Sequence, residues 1–368
     1  MVVSNSVCRW ILVTSVLALP ATALAVQDCE INGQHVNPAN GGTTEGKTGI
    51  MKCRDRDSGK LVREEEYRNG RSVGYRKFIE FSGDTIVANY NERGNRDGES
   101  KRFDASGTLL AHERYIDGST TGAQTYFHKN SQVKRRSFYE RGRALASIEY
   151  NERGQLTELQ CADKPLLEED RKLCGFDQPA DVDFHNGRGY VVAQSRYENG
   201  KRVAIKTFSG AGVVARTEDV KGDRKVTRSH FAEGPLRLET TSVGNRKEHE
   251  REFAASGQPV RETHWRDGRQ AEETLWYLNG KIKSKTRWQR DGANALIGAE
   301  EFWDNGQIRA RTVRDERLGY VGVQQGFDEG GVLVTEEAYD KGALTRRKLY
   351  KAGRLVTDEE YYADGSRK

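Results

Sequence analysis

Residues 59–74 carry the unit that decides the fold, Gly59-Lys-Leu-Val-Arg-Glu-Glu-Glu-Tyr67-Arg-Asn-Gly70-Arg-Ser-Val-Gly74. Its glycines recur every 24 residues in the sequence that follows. The three series at this step are Gly59, Gly83 and Gly107; Gly70, Gly94, Gly118 and Gly142; and Gly74, Gly98 and Gly122. Three series in phase indicate a tandem repeat, in which each unit packs on its neighbours.

The second half of the chain repeats more loosely, and its steps vary from one unit to the next. Its units open at Gly189, Gly212, Gly234, Gly257, Gly280, Gly306, Gly331 and Gly353. An aromatic residue stands three or four positions before most turn glycines, as Tyr67 does before Gly70. Aromatics at equal positions on successive strands predict cross-strand pairs, each contributing roughly 0.2–1 kcal/mol.

The segments between the glycines have the period of β-strands. In the stretch 281–288, Lys-Ile-Lys-Ser-Lys-Thr-Arg-Trp, charged residues alternate with apolar or small ones. Asn-Gly and Asp-Gly pairs, as at 69–70 and 117–118, favour short turns because both residues tolerate positive φ. The sequence therefore predicts an all-β chain, an elongated antiparallel β-meander of about twelve hairpin repeats of about 22–26 residues.

The composition agrees with thin β structure. The chain has 368 residues, of which 31% are charged and 35% hydrophobic, and its formal net charge is +5. This is too polar for a large enzyme built around one thick core. The aromatic fraction of 9% and the near balance of charge argue against a disordered chain. Acids interleave with bases, which does not favour nucleic-acid binding.

The segment 1–25 has the pattern of a Sec-type signal peptide. Arg9 precedes an apolar run that ends in Ala23-Leu24-Ala25, a small-residue cleavage site. The alternative is an N-terminal anchor that is kept. Cys29 lies four positions beyond the small residues, which argues against a lipoprotein. We expect a periplasmic protein that starts near Val26, with no later transmembrane span.

Four cysteines remain after cleavage, and three disulfide pairings are possible. The sequence-local pairing joins Cys29 to Cys53 and Cys161 to Cys174, and an oxidising compartment permits it. The rival interpretation is a site of four thiolates around zinc, but the spacings contain no C-x-x-C knuckle. We therefore predict two local disulfides, no metal and no cofactor.

The predicted organisation has four parts after the signal peptide. Residues 26–58 form a disulfide-tied cap, 59–157 the first repeat array, 158–183 an insertion and 184–368 the second array.

The insertion carries the pattern of a short helix over 164–174. Pro165 and the acids Glu168, Glu169 and Asp170 suit a first helical turn, and Cys174-Gly175 suits an end. A stapled insertion of this kind would bend the sheet or cap the first array. The functional alternative is an acidic protrusion that contacts a partner.

The unit resembles the bacterial variant of the MORN repeat, the YwqK-type antitoxin family, over roughly 59–157 and 184–368. The resemblance is carried by Tyr67-Arg-Asn-Gly70-Arg, Tyr197-Glu-Asn-Gly200-Lys201, Tyr277-Leu-Asn-Gly280-Lys281, Gly331-Val-Leu333 and Gly353-Arg-Leu355. It implies a periplasmic immunity protein that neutralises a secreted toxin, such as a type VI phospholipase effector, by stoichiometric binding. The alternative that it implies is an envelope scaffold or a lipid-associated binding module.

No catalytic motif accompanies the repeats. The seven histidines are His35, His112, His128, His185, His230, His249 and His264, and none belongs to an H-E-x-x-H or H-x-H motif. No G-x-S-x-G occurs, and neither a P-loop nor G-x-G-x-x-G occurs in its strand-then-helix context. The sequence therefore predicts a protein that is not an enzyme.

Two surfaces are candidates for the partner contact. The first is the acidic group Glu168, Glu169 and Asp170, which could enter a positively charged active site of a toxin. The second is the set of tryptophans Trp265, Trp276, Trp288 and Trp303. Trp276 precedes Tyr277, so the two side chains must lie on opposite sheet faces, which predicts an exposed aromatic. We expect a monomer alone and a heterodimer with the toxin.

Small-angle scattering tests the predicted repeat array. A chain of this length folded as a compact domain has a radius of gyration of roughly 20 Å. We expect a value well above this for the protein from Val26 onward, because each repeat contacts only its neighbours. A compact value together with substantial helix in circular dichroism would contradict the prediction.

Overall fold

A computed structural model describes residues 27–291 and 294–368. Nearly all regular structure in these residues is antiparallel β-sheet, which confirms the all-β prediction. The predicted signal peptide and Val26 lie outside the described residues. The described helices are too short to cross a membrane. The chain divides into two compact units, residues 1–120 and 121–368.

In unit 1, β1 lies between β2 and β3, and β3 to β8 then follow one another as an antiparallel meander. The short β9 pairs with β8. The strands are β1, Gln27–Ile31; β2, Gln34–Val36; β3, Gly49–Asp55; β4, Leu61–Arg68; β5, Arg71–Ile79; β6, Thr85–Tyr90; β7, Arg96–Phe103; β8, Leu109–Ile116; and β9, Ser119–Thr120, with a 3-10 turn at Gly41–Thr43. The predicted cap 26–58 is thus itself a three-stranded part of this sheet.

Unit 2 begins with β10 to β13, which pair in sequence order. These strands are β10, Gly122–Phe127; β11, Val133–Glu140; β12, Arg143–Tyr150; and β13, Leu156–Gln160. The helix α1, Asp170–Leu173, follows. The predicted insertion 158–183 lies within this unit, whereas the boundary between the units falls inside the predicted first array.

A meander from β14 to β30 completes unit 2, and β25 pairs with both β26 and β27. The strands are β14, Ala180–His185; β15, Val191–Glu198; β16, Lys201–Phe208; β17, Val214–Lys221; β18, Arg224–His230; β19, Leu236–Val243; β20, Arg246–Phe253; β21, Pro259–Arg266; β22, Arg269–Trp276; β23, Ile282–Asp291; β24, Asn294–Phe302; β25, Ile308–Asp315; β26, Gly319–Tyr320; β27, Gly322–Phe327; β28, Leu333–Asp340; β29, Ala343–Lys351; and β30, Arg354–Glu360.

Two kinds of turn join the strands of the meander. Several two-residue turns have positive φ at both positions, as at Asn199 (49°) and Gly200 (78°), and they join strands with the right-handed twist of a hairpin. The other kind, which we call loop turns, is longer. In the loop turn after Tyr277, the Gly280 N–H donates to the Tyr277 carbonyl, and the Tyr277 N–H donates to the Lys281 carbonyl.

Hydrogen bonds connect several loop turns to the corresponding turn of the next repeat. The Asn279 side chain donates to the Asp304 carbonyl at 2.8 Å, and Asn305 donates to the Glu329 carbonyl at 2.7 Å. The Tyr277 hydroxyl and the Trp303 indole donate to the carbonyls of the next loop turn in the same way. The two asparagine bonds join residues that lie one repeat length apart in the sequence.

Most of the buried apolar residues lie in two clusters. One lies in unit 1 and consists of Cys29, Ile31, Val36, Met51, Cys53 and Tyr67. Cys29 and Cys53 face each other on β1 and β3 and form a disulfide, which confirms the first predicted pairing. The other cluster lies in unit 2 and consists of Ala146, Ile148, Leu156, Leu167, Val182 and Tyr197.

A glutamine side chain replaces missing backbone partners where β26 ends and β27 begins. The Gln324 carbonyl oxygen accepts from the Val313 N–H at 2.7 Å, and its amide donates to the carbonyls of Val313 and Val321 at 2.8 Å. Gln324 is 7% exposed. The side-chain amide therefore takes the place of a peptide group in the ladder.

We predict that Gln324→Leu destabilises the protein by roughly 1–3 kcal/mol, because the Val313 N–H and the Val321 carbonyl lose their partner. Urea denaturation measures the change. The matched control is Gln325→Leu on the opposite, more exposed face, for which we expect a change within about 0.5 kcal/mol. Equal effects of the two substitutions would contradict this account of Gln324.

Candidate functional site

The predicted insertion is fastened at both ends by the second disulfide. Cys161 and Cys174 are bonded, with their Cα atoms 5.8 Å apart, which confirms the pairing. The helix between them is shorter than predicted and covers only Asp170–Leu173 instead of 164–174. A helix over 164–174 would be about 15 Å long, so only a fully stretched connection could return Cys161 to Cys174.

The three predicted acids of the insertion have different environments. Asp170 is fully buried, and its Oδ2 accepts from the backbone N–H groups of Leu166 and Leu167 at 3.0 and 2.9 Å. Glu169 is half-buried and forms an ion pair with Arg136 on β11. Glu168 is exposed. Asp170 therefore stabilises the fold of the insertion. Glu168 is the one exposed residue of the three predicted acids.

The insertion packs onto the sheet that surrounds it. Leu167 is buried with Ile148 and Val182 in the unit 2 cluster. The N–H groups of Asn199 and Gly200, in the turn between β15 and β16, donate to the carbonyls of Gly175 and Cys174. These contacts favour the structural interpretation, because the insertion packs on strands before and after it in the sequence.

Two tyrosines report how closed this packing is. Burial raises the pKa of Tyr197, and the guanidinium of Arg202 partly offsets that shift. Burial also raises the pKa of Tyr150, and the nearby carboxylate of Glu169 raises it further. Both phenols are therefore neutral at neutral pH, and both pack in the cluster that contains Leu167 of the insertion.

All four predicted tryptophans are half-buried, and they differ in their contacts. Trp303 donates its indole N–H to the Phe327 carbonyl, so it belongs to the loop-turn bonds. The ammonium of Lys247 lies 4.9 Å from the ring centroid of Trp265. Trp276 and the adjacent Tyr277 are both half-buried, so the predicted exposed aromatic is not found at this pair. Tyr277 donates its hydroxyl to the Phe302 carbonyl, and the Lys283 ammonium lies 5.9 Å from its ring centroid.

Trp288 lies in an open depression of 660 Å³ beside the turn between β21 and β22. Its other lining residues are Arg266, Asp267, Arg269, Gln270, Ala271, Gln289 and Arg290. Three guanidinium groups and the Asp267 carboxylate line the depression. The Arg290 guanidinium also lies 3.5 Å from the Glu316 carboxylate, so the net positive charge comes from Arg266 and Arg269. Sequence reasoning singled out Trp288 but missed these arginines, which flank an Asp-Gly turn and the end of β23.

An exposed apolar stretch at the start of β15 was also missed. Tyr190 is 68% exposed, and Val191 and Val192 follow it with 37% and 39%. The Tyr190 N–H donates to the Asn186 side chain, which fixes the loop turn before it. In the sequence the stretch looks like an ordinary strand. In the structure its three apolar side chains are exposed to solvent.

Two histidines and a glutamate meet on one sheet face of β20 and β21. His249 and His264 are direct cross-strand partners, and their rings stack with centroids 4.6 Å apart. The Oε1 atom of Glu262 lies 2.7 Å from Nε2 of His249 and 3.9 Å from Nε2 of His264. We call these three residues the histidine cluster.

The histidine cluster escaped a search for motifs within single segments. Glu262 and His264 have i, i+2 spacing and so share a face of β21. His249 joins them only through the pairing around the loop turn at Gly257. The signal in the sequence was therefore the nearly equal distance of His249 and His264 from that glycine.

No family model matches the chain, and no curated protein matches it. Similar solved structures include crystal structures of TcdB2-TccC3 and of TcdB2-TccC3-TEV, with sequence identities of 11% and 13%. They cover 92% and 85% of this chain, and this chain covers 21% and 19% of theirs. The TM-score is 0.14 in both cases, so these likenesses carry no weight for fold or function.

We predict that Gly175→Ala loosens the insertion. Gly175 has a φ of +69°, and an added Cβ would lie 2.2 Å from the Tyr197 carbonyl oxygen. Thermal denaturation should show a loss of stability greater than that of Gly257→Ala, whose φ is +86° but whose Cβ would meet open space. The control should cost about 1–2 kcal/mol from its backbone conformation alone. A Gly175 variant no less stable than the control would contradict the close packing.

Proposed function

We propose that this chain is a periplasmic immunity protein of the bacterial MORN-variant type. It neutralises a secreted toxin, a type VI phospholipase effector, by stoichiometric binding and without catalysis. The signal-like N-terminus and the two disulfides support an oxidising compartment outside the cytoplasm. The hairpin strands of the repeats support a broad surface for a protein partner.

The observation that carries the proposal is the depression around Trp288. Tryptophan and arginine are the residue types most enriched where truncation strongly weakens protein complexes. Here a half-buried indole is flanked by Arg266, Arg269 and Arg290. The indole offers an apolar floor, and the guanidiniums offer planar donors that suit carboxylates of an acidic partner surface.

The acidic insertion is the weaker of the two predicted contact surfaces. The Asp170 carboxylate accepts from the Leu167 N–H, and the Glu169 carboxylate pairs with Arg136, so both already have partners within the protein. Glu168 alone would add a rim charge, which affects association rate more than affinity. The contact surface that we propose therefore centres on Trp288.

We expect that deleting the gene makes cells sensitive to attack by sibling cells that carry an active type VI secretion system. Restoring the wild-type gene should restore survival. The double substitution Trp288→Ala with Arg269→Glu should abolish protection, since truncating one such anchor weakens a complex by roughly 30-fold or more. Competition assays between attacker and recipient strains measure this.

Trp276→Ala is the matched control, because it removes a half-buried tryptophan at the opposite end of the same hairpin. It should protect like wild type, with all variants first shown to be folded by thermal denaturation. If deletion leaves cells no more sensitive, the immunity function is wrong. If the double variant protects fully, the function stands and the contact surface is wrong. Tight binding of the mature protein to anionic vesicles in the absence of a toxin would favour the lipid-associated alternative.

A further inference from the structure

We infer that the histidine cluster, His249, Glu262 and His264, is a binding site for a divalent transition-metal ion of the zinc class. The inference rests on the geometry of β20 and β21 alone. It does not depend on the proposed immunity function.

The three donor groups are already gathered by the sheet. The donor atoms of His249, Glu262 and His264 all lie within 4.8 Å of one another. Both imidazole Nε2 atoms lie near the same carboxylate oxygen, at 2.7 and 3.9 Å. Because the cross-strand register and the i, i+2 spacing set this arrangement, no backbone movement is needed to assemble it.

The distances suit an ion placed between the three groups. Zinc binds histidine nitrogen and carboxylate oxygen at about 2.0–2.2 Å, so neighbouring donors of a tetrahedral site lie roughly 3.3 Å apart. The shorter separation, from Glu262 to His249, must therefore open slightly, and the longer one, from Glu262 to His264, must close slightly. Rotations of the half-exposed His264 side chain and of the Glu262 carboxylate can supply both adjustments.

The donor set selects the class of ion. Two imidazoles and one carboxylate suit zinc, copper and nickel, whereas calcium and magnesium prefer oxygen donors alone. The side chains of His249 and Glu262 are 25% and 24% exposed, and that of His264 is 51% exposed. The cluster is thus open to solvent on one side, which provides an entry path and leaves coordination positions for water.

The surrounding charges are balanced. Arg251 pairs in register with Glu262, and its guanidinium lies over the Phe253 ring at 5.5 Å. Glu272 pairs in register with His264, and the Arg287 guanidinium lies 3.7 Å from the Glu272 carboxylate. The positive charge of Arg251 opposes a bound cation, while the carboxylate of Glu272 on the neighbouring strand favours one.

Isothermal titration of the untagged mature protein with zinc chloride tests the site. We expect saturable binding of one ion per chain. His249→Ala, Glu262→Gln and His264→Ala should each weaken it by at least about 10-fold, as changes around metal sites commonly do. Cobalt, added as a spectroscopic substitute, should give visible absorption that is lost in the same variants. Zinc should also raise the melting temperature of the wild type, because it binds the folded state.

His112→Ala is the matched control. His112 lies 3.3 Å from Glu99 and forms a similar histidine–carboxylate pair on β7 and β8. Its loss should leave zinc affinity unchanged if the histidine cluster is the site. No saturable binding by the folded wild type would overturn the inference. So would binding that persists undiminished in a folded His249→Ala, His264→Ala double variant.

Discussion

Hydrogen bonds between neighbouring hairpins are the constraint on which the rest of the structure depends. A single hairpin is marginally stable in water, so each repeat must be held by the next. Asn279 and Asn305 make this connection with side-chain amides that donate to backbone carbonyls one repeat further on. The donor and the acceptor lie 25 and 24 residues apart in the two cases, so these bonds hold the loop turns that they join in register.

This arrangement explains how so polar a chain folds with little apolar core. The two apolar clusters lie at β1–β4 and around the insertion. Elsewhere many of the described buried positions hold small or polar residues such as Ala88, Ser100 and Thr263. Cross-strand ion pairs, such as Lys348 with Glu336, add small individual contributions. The hydrogen bond from the Lys348 ammonium lowers the pKa of Glu336, so this pair persists at neutral pH and is lost as the pH falls through that lowered pKa.

The sequence predicted local features well and features that depend on distant strands poorly. Glycine spacing and strand period predicted the meander, and sequence proximity predicted both disulfides. The two kinds of turn were not distinguished, because Asn-Gly at 199–200 and at 279–280 reads the same. Only Asn199 of these two asparagines has positive φ. The short extent of the helix was not predicted, because the Asp170 carboxylate accepts from the N–H groups of Leu166 and Leu167, in a stretch where the pattern predicted a continuous helix. The histidine cluster depends on strand register, which a motif within one segment does not contain.

The turns at the two ends of the strands in unit 2 are constrained to different degrees. This difference indicates where a binding surface can vary. At the end that carries the loop turns, side chains such as Trp303 form hydrogen bonds with the next repeat. Substitution there therefore disturbs the fold. The turn between β21 and β22 requires only positive φ at Asp267 and Gly268. The flanking Arg266 and Arg269 are therefore free of that structural task. The depression around Trp288 lies beside this turn. Recognition residues can change there from one protein to another while the hydrogen bonds that define the repeat stay intact.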